Sequence, residues 1–149
     1  MAESDEVSRL PGRGSVIEQV QEMVGSGSAP AVLVVEIAGF DALAESDPSG
    51  AHGAVREVEA RLDRVVRGRD VLGFEAPDRF LLGCSSLSPE SAGGVIERIR
   101  SGAAFPVEVG GEAVSLVLDV GTAFFAEGAT GASLVDAAEA DLVRSLPPA

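Results

Sequence analysis

The segment DVLGFEAPDRFLLG, from Asp70 to Gly83, decides the fold. It contains two short apolar runs, Asp70 to Phe74 and Arg79 to Gly83, on either side of the polar stretch Glu75-Ala76-Pro77-Asp78. Two such runs joined by a turn that contains proline predict a β-hairpin. We therefore expect a sheet to be built around this hairpin.

Apolar periodicity predicts the elements that precede the hairpin. Ala31 to Ile37 is a short, nearly continuous β-branched run, which is typical of a strand buried on both faces, and we expect it at the centre of the sheet. The other elements expected here are a helix over Ser15 to Val24, a turn at Asp47 to Gly50 and a helix carrying Val55 that reaches Arg67 and ends at Gly68.

Helical and extended patterns alternate again after the hairpin. Ser88 before Pro89 predicts a helix N-cap with proline at the first helical position. The expected elements are this helix as far as Gly102, strands over Ala104 to Val109 and Ala113 to Val120 joined at Gly110-Gly111, and a last helix over Ser133 to Ser145. The order predicts an α+β sandwich, with helices packed on a mixed, mainly antiparallel sheet. We expect one domain over residues 1–149, with 1–14 as a lead-in and 146–149 as a short tail.

The net charge of -13 disfavours a general attraction to nucleic acid or to anionic lipid. Any site for an anion must then be a local arginine cluster, because all eleven basic residues are arginine. The single cysteine, Cys84, cannot form an internal disulfide, and the acidic Met1 to Asp5 is unlike a secretory leader. The longest apolar run, Ala29 to Phe40, is too short to span a bilayer. We expect a cytoplasmic protein without a membrane segment.

Five short motifs follow one another along the chain: Asp5 to Arg13, Glu36 to Phe40, Ala76 to Phe80, Asp119 to Ala123 and Ala138 to Leu142. Their order and spacing resemble the GGDEF family of bacterial diguanylate cyclases over nearly the whole chain. In that family the corresponding features are the D-x-L-T-x-L-x-N-R leader, D-x-D-x-F, the hairpin signature, S-I-G-V-A and the final helix. The resemblance implies a nucleotidyl-cyclase-like sandwich with a central sheet flanked by helices.

The hairpin departs from the family's G-G-D/E-E-F signature. Ala76 and Pro77 stand where two glycines let the backbone approach the GTP phosphates in the family, and Pro77 has no N–H to donate. Arg79 replaces the following glutamate, where a cation would compete with a metal ion. Glu36 and Asp78 keep carboxylates at the two metal positions, either as solvated or salt-bridged remnants or as a residual site for Mg²⁺ or GTP.

Other contacts that the family makes with its substrate are also replaced. The guanine-contacting asparagine corresponds to Ala44, the guanine-binding aspartate to His52 or Gly53, and the phosphate-contacting lysine to Leu146. These replacements imply a chain with no catalytic residues, no diguanylate cyclase activity and no Mg²⁺ or other cofactor. A single histidine without partners does not predict a zinc or acid–base site.

A ligand site of the family is retained in the pattern Arg67-Gly68-Arg69-Asp70. This matches the R-x-x-D motif of the inhibitory site at which active cyclases bind cyclic di-GMP, and Arg98 stands at the second arginine of that site. Arginine can pair with phosphate or with the Hoogsteen edge of guanine, and Asp70 can accept from its Watson–Crick edge. Arg69 is a further candidate. Alternatively, Arg67 only complements a helix C-terminus and pairs with Asp70 or with a neighbouring glutamate.

The resemblance therefore implies a degenerate, non-catalytic receptor for cyclic di-GMP that regulates an unidentified protein partner, with a ligand-linked homodimer as one form of response. A second hypothesis is a ligand-independent scaffold whose acidic surface binds a basic partner. The third is a residual enzyme or GTP sensor that uses Glu36 and Asp78 with Mg²⁺. Binding to nucleic acid and insertion into a membrane are not expected.

Overall fold

The computed structural model describes residues 10–104, 107–109 and 111–145. The elements in that part of the chain are, in order, α1 (Arg13–Gly25), β1 (Ala31–Ile37), α2 (Phe40–Ser46), α3 (Pro48–Asp63), β2 (Val71–Ala76), β3 (Arg79–Cys84), α4 (Pro89–Ala104), β4 (Val107–Val109), β5 (Glu112–Val114), β6 (Leu118–Phe124) and α5 (Gly131–Ser145). None of the described helices is both long enough and apolar enough to cross a membrane.

A four-stranded sheet in the order β2-β3-β1-β6 carries the fold, and its three strand pairs are antiparallel. β1 lies between β3 and β6, as its apolar run predicts, and every residue of β1 except Glu36 is buried. Successive side chains of a strand point to opposite faces, so β1 supplies two separate cores.

The two faces of the sheet are covered by different helices. Leu33, Val35 and Ile37 pack on one face with apolar residues of α3 and α4, whereas Val32 and Val34 pack on the other face with residues of α1 and α5. The residues that α3 and α4 contribute are Ala54, Val55, Val58, Leu62 and Ile99. The predicted sandwich of helices on an antiparallel sheet is confirmed.

The predicted hairpin is present, with Pro77 and Asp78 forming the turn between β2 and β3. The pairing shifts register between Phe74 and Ala76, so that Ala76 lies opposite Arg79. The backbone N–H of Ile37 donates to the carbonyl oxygen of Asp78 at 2.9 Å. The tip of the hairpin is therefore held against the end of β1.

The helix predicted to reach Arg67 ends at Asp63. The backbone N–H groups of Arg64 and Val65 bond to carbonyl oxygens three residues back, which tightens and ends the last turn. Val65 and Val66 still pack against the core, and this explains why the apolar period continued past the helix end. Gly68 has a φ of 54° and is therefore left-handed, but it lies in the turn after the helix and not at the helix end.

The predicted turn at Asp47 to Gly50 is the start of α3. The Asp47 carboxylate caps it by accepting from the N–H of Gly50 at 3.0 Å, and Pro48 occupies the first turn. α2, over Phe40–Ser46, was not predicted, because seven residues are too few to show a helical period. Arg13 and Gly14, assigned above to the lead-in, belong to α1.

The single strand predicted over Ala113 to Val120 is two strands. β5 pairs with β4 in a separate hairpin, and β6 pairs with β1 in the main sheet. An apolar run does not reveal where the chain leaves one sheet and enters another, because β5 and β6 both carry apolar residues although β5 is mostly exposed and β6 mostly buried. Residues 5–9 of the leader, Leu146 and the tail at 146–149 lie outside the described residues.

Candidate ligand-binding site

Arg67, Asp70 and Arg98 line one open cleft of about 220 Å³. Arg67 and Asp70 belong to the loop between α3 and β2, and Arg98 projects from α4. The other residues around the cleft are Val65, Val66, Cys84, Ser86, Leu87 and Val95. The fold thus brings together three residues that are separated by up to 31 positions in the sequence. Arg69 is exposed and does not line the cleft.

The carboxylate of Asp70 organises the loop that forms one side of this cleft. Oδ1 accepts from the backbone N–H of Ser85 at 2.9 Å and from its hydroxyl at 3.3 Å, while Oδ2 accepts from the backbone N–H of Arg67 at 3.1 Å. The N–H of Asp70 donates in turn to the carbonyl oxygen of Arg67 at 2.8 Å. Asp70 therefore bonds to the backbone of Arg67 and not to its guanidinium.

The guanidinium groups of Arg67 and Arg98 have no ion-pair partner among the described residues. Both residues are exposed, and both have side chains at the cleft. The alternative of a side-chain pair between Arg67 and Asp70 is not found in this structure. Two unpaired arginines at one cleft form a local site that can receive an anion.

The remaining walls of the cleft are mostly apolar, with Val65, Leu87 and Val95 among them. Cys84 also contributes a buried side chain. Burial raises the pKa of the Cys84 thiol to about 12, and the nearby Asp70 carboxylate acts in the same direction. The thiol is therefore protonated at neutral pH and offers the cleft a weakly polar surface rather than a nucleophile.

Positive charge is concentrated around this cleft in an otherwise acidic chain. Residues 56–70 and 89–104 contain seven of the eleven arginines but only six of the twenty-four acidic residues. This part of the sequence forms the second half of α3, the loop after it, and α4. Seven positive and six negative side chains give these two segments a net charge of +1, whereas the whole chain carries -13.

The hairpin tip carries a different arrangement, in which a guanidinium lies on the carboxylate of Glu36. Nη2 and Nε of Arg79 donate to Oε2 of Glu36 at 2.7 and 3.3 Å, and Nη1 lies 3.6 Å from Oε1 of Glu75. Glu36 and Arg79 are directly opposite each other in the β1–β3 ladder. Of the alternatives left open for Glu36, the salt-bridged one is therefore found in this structure.

A divalent metal ion does not fit this arrangement, because Arg79 occupies the Glu36 carboxylate that would have to bind the ion. Within the described residues, no cluster of three histidine, cysteine, aspartate or glutamate side chains is suited to hold a metal. Burial raises the pKa of Asp78, and the charges of Glu36 and Asp41 add to this effect. The carboxylates here repel one another, and an anionic ligand would meet the same repulsion.

Ala44, His52 and Pro77 line a second open cleft, of about 170 Å³, between α2, α3 and the hairpin tip. These are three of the positions at which the resemblance places contacts with guanine or phosphate. His52 is exposed and has no second histidine beside it, since the chain contains only one. The fold therefore gathers these three replaced positions in one cleft, whose lining is mainly apolar.

A network of charged side chains between α1, β2 and α5 was not predicted from the sequence. Nε of Arg13 lies 3.1 Å from Oε2 of Glu75 and 3.1 Å from Oε2 of Glu139, and Nη2 lies 2.7 Å from Oδ1 of Asp136. The arginine that ends the leader motif was the one signal for this network. Its partners are 62 or more residues away, so sequence spacing does not indicate them.

Comparison with protein-family models found no match, and comparison with curated proteins found none either. Solved structures do match. The diguanylate cyclase SiaD of Pseudomonas aeruginosa, solved with its activator SiaC, superimposes with a TM-score of 0.84 at 23% identity. The GGDEF domain of TpbB (YfiN) from the same organism gives 0.83 at 20%, and that of DgcB from Caulobacter crescentus, in complex with c-di-GMP, gives 0.85 at 16%.

The match extends over almost all of this chain. It covers 93% of this chain with SiaD, 94% with TpbB and 93% with DgcB. The chain has the fold of a GGDEF domain. It spans 56% of the SiaD chain and 86% of each of the other two. At these identities the GGDEF fold is what the similarity establishes, and function must be argued from the two clefts.

Proposed function

We propose that this GGDEF-fold chain is a non-catalytic receptor for cyclic di-GMP, which binds in the cleft of Arg67, Asp70 and Arg98 and changes the association of the chain with a protein partner. The observation that carries this proposal is the presence, at one cleft, of two arginines from different elements that have no ion-pair partner among the described residues, beside a carboxylate fixed by the loop. The c-di-GMP complex of a domain with the same fold supports the choice of ligand.

The chemistry of the cleft suits a guanine dinucleotide. The two guanidinium forks can each donate a pair of hydrogen bonds to a phosphate or to O6 and N7 of guanine. Oδ2 of Asp70 accepts one hydrogen bond from the backbone N–H of Arg67, so it can still accept another from a guanine N–H. Val65, Leu87 and Val95 supply apolar surface for the face of a base.

The size of the cleft bears on how the ligand binds. Sites that enclose a drug-sized ligand have volumes of about 300 to 1,000 Å³, whereas this cleft has about 220 Å³. One guanine and an adjacent phosphate would enter, and the rest of the dinucleotide would protrude. A protruding half can contact a second copy of the chain, so we propose a ligand-linked homodimer as the first response to test.

The proposal assigns no catalysis to the hairpin. Arg79 is bonded to the carboxylate of Glu36, and Pro77 cannot donate a backbone N–H to a phosphate. Purified chain incubated with GTP and Mg²⁺ is expected to leave the GTP unchanged. Formation of cyclic di-GMP that Asp78→Asn abolishes would contradict this part of the proposal and would favour the residual enzyme.

Titration calorimetry with cyclic di-GMP tests the receptor. We expect a micromolar or tighter dissociation constant, and a loss of at least about tenfold in affinity for Arg67→Ala and for Arg98→Ala, because each removes a charge-assisted pair worth about 1.5 kcal/mol or more. Arg64→Ala is the matched control, since Arg64 is exposed nearby and does not line the cleft. Sedimentation velocity with and without ligand measures the dimer.

Two results would overturn the proposal of a cyclic di-GMP receptor. The first is an absence of binding at high micromolar ligand, and the second is a loss for Arg64→Ala as large as that for Arg67→Ala. The second hypothesis, a scaffold that needs no ligand, would then remain. Arg69→Ala is a second control, because Arg69 is close to the site in sequence but lies outside the cleft. We expect its effect on affinity to resemble that of Arg64→Ala.

A further inference from the structure

The second cleft, between α2, α3 and the hairpin tip, is lined almost entirely by apolar side chains. Phe40 and Ala44 face it from α2, Ala51 and Val55 from α3, and Phe74 and Pro77 from the hairpin. His52 is the one polar side chain among its lining residues. An open apolar cleft of this kind on a chain with a net charge of -13 is a candidate for protein contact.

Acidic side chains lie on one side of this apolar cleft. Asp41 and Glu45 are exposed and stand four residues apart, so they are neighbours on the same side of α2, and each directly follows a lining residue, Phe40 or Ala44. Asp78 follows Pro77 at the hairpin tip and experiences the charges of Glu36 and Asp41. The rim of the cleft is therefore negative where α2 meets the hairpin.

The nearby cations do not cancel this negative rim. Arg79 is already bonded to Glu36 and lies close to Glu75, so its charge is matched twice. Arg56 is exposed and lies one turn beyond His52 on α3. Burial raises the pKa of Glu59, and the charge of Arg56 acts against this effect, so Arg56 lies close to a carboxylate of its own helix. What remains around the cleft is an excess of carboxylates.

We propose that this cleft is a docking slot for a basic segment of a partner protein, in which one apolar side chain enters the slot and flanking arginine or lysine residues meet the acidic rim. The argument for this occupant is charge complementarity around an apolar centre, the pattern by which interfaces combine a buried anchor with a charged rim. The slot is separate from the cleft of Arg67 and Arg98, and the proposal does not rest on cyclic di-GMP binding.

The volume of the slot sets the size of the anchor. An apolar cavity of about 150 Å³ accommodates a benzene molecule, and this slot has about 170 Å³. A phenylalanine or leucine side chain therefore fits, whereas a nucleotide would bring phosphates to a rim of carboxylates. A partner segment with a single such residue between cationic residues is the simplest occupant.

The probe for this slot is the acetylated and amidated peptide Gly-Arg-Arg-Gly-Phe-Gly-Arg-Arg-Gly, added to the full ¹⁵N-labelled chain without cyclic di-GMP. Amide shifts should change along α2, the first half of α3 and the hairpin tip, with a dissociation constant of about 1 mM or below, as one anchor and a few screened charges allow. Two control peptides replace the phenylalanine by glycine or all four arginines by glutamate.

Variants of the chain locate the binding. Asp41→Lys/Glu45→Lys is expected to weaken the arginine peptide at least about tenfold, whereas Glu18→Lys/Glu22→Lys, which changes the net charge equally on the exposed face of α1, should change it less than about twofold. Ala44→Phe fills the slot and should abolish binding while the spectrum of the free protein keeps its native dispersion. The charge variants decide the matter if Ala44→Phe does not fold.

The proposal is overturned by an absence of shifts up to about 5 mM peptide, a concentration that corresponds to negligible affinity. Equal binding of either control peptide would also overturn it, as would equal weakening by the two charge variants. Because the probe contains no nucleotide and the cleft of Arg67 is untouched, failure here leaves the cyclic di-GMP proposal standing. Failure of the calorimetric test likewise leaves this slot standing.

Discussion

Nη2 of Arg79 lies 2.7 Å from Oε2 of Glu36, across the antiparallel ladder of β1 and β3. Both side chains are mostly shielded, with 31% and 18% of their surfaces exposed, so this pair lies between a surface ion pair and a buried one. Glu36 is one of the two positions, with Asp78, at which the resemblance places carboxylates for metal ions. The carboxylate of Glu36 therefore has its cation within the chain.

Arg79→Ala is expected to lower the free energy of unfolding by about 1 to 2 kcal/mol, because it leaves the shielded carboxylate of Glu36 without its cation and Glu75 with Arg13 alone. Urea denaturation at pH 7 measures the change. Arg144→Ala is the control, since its ion pair with Asp141 is far more exposed and should contribute less than about 0.5 kcal/mol. Equal effects of the two substitutions would contradict the prediction.

Glu75 should make the stability depend on pH. Burial raises its pKa to about 7, and the hydrogen bond and charge of Glu139 act in the same direction, against Arg79 and Arg13. A raised pKa in the folded state favours the protonated form, so this contribution is complete below about pH 4.5 and is lost as the pH rises to about 7. Burial also acts to raise the pKa of Glu139, but its hydrogen bonds with Arg13 and Glu75 outweigh burial and lower that pKa.

Glu75→Gln is neutral at every pH and should remove this loss. Between pH 5 and pH 8, the free energy of unfolding of the variant should rise by on the order of 1 kcal/mol relative to that of the wild type. This is less than full linkage would give, because Arg13 and Arg79 also lose a partner. Urea midpoints at the two pH values measure it. The lowered pKa of Glu139 acts in the opposite direction below about pH 4.5, so the comparison is made above that value.

Gly121 is predicted to be intolerant of alanine. A Cβ at this position in β6 would overlap the carbonyl oxygen of Ala138 and lie 2.5 Å from the N of Leu142, both of which are backbone atoms of α5 that cannot rotate away. Gly121→Ala should cost at least about 2 kcal/mol or prevent folding, because α5 would have to move off the sheet. Thermal unfolding or the yield of folded protein measures it.

Gly94→Ala is the matched control for this substitution. Gly94 lies within α4, and a Cβ there would meet no atom within 4 Å. The alanine should therefore stabilise the protein by about 0.5 to 1 kcal/mol through helix propensity alone. A loss of stability for Gly94→Ala would show that the packing around α4 differs from the one described.

Asp70→Ala should destabilise the protein even in the absence of ligand. The substitution leaves the backbone N–H groups of Ser85 and Arg67 without their acceptor, at a cost of about 1 to 2 kcal/mol. Arg67→Ala and Arg98→Ala should change stability by less than about 0.5 kcal/mol, because neither guanidinium has an ion-pair partner among the described residues. Urea denaturation without cyclic di-GMP distinguishes the two kinds of residue. A neutral Asp70→Ala would mean that the loop does not depend on this carboxylate.

Much of the fold is predictable because its signals are local. The β-branched run Ala31–Ile37 is a strand over those same residues, and the proline-containing turn is a two-residue turn between strands. Ser88 caps α4 as predicted, with its hydroxyl accepting from the N–H of Ser91 at 3.3 Å. Each of these features depends on backbone preferences or burial within a few residues, which a sequence displays directly.

The errors occurred where local signals do not decide the structure. Val65 and Val66 continue the apolar period of α3 although the helix has ended, since a loop can also bury valines against the core. The run from Ala113 to Val120 divides between two sheets, and the choice depends on which strands are available to pair. Such choices are made by tertiary contacts that override propensity.

The sequence by itself determined the types and order of most elements, the retained arginines and the replaced signature residues, because these depend on residue identity and short-range pattern. Only the tertiary structure decided that Arg67 and Arg98 share a cleft without ion-pair partners in the described chain, and that Asp70 bonds to the loop backbone. It alone placed Arg79 on Glu36 and Arg13 among three carboxylates. Contacts between distant residues depend on strand register and helix packing, which no local pattern specifies.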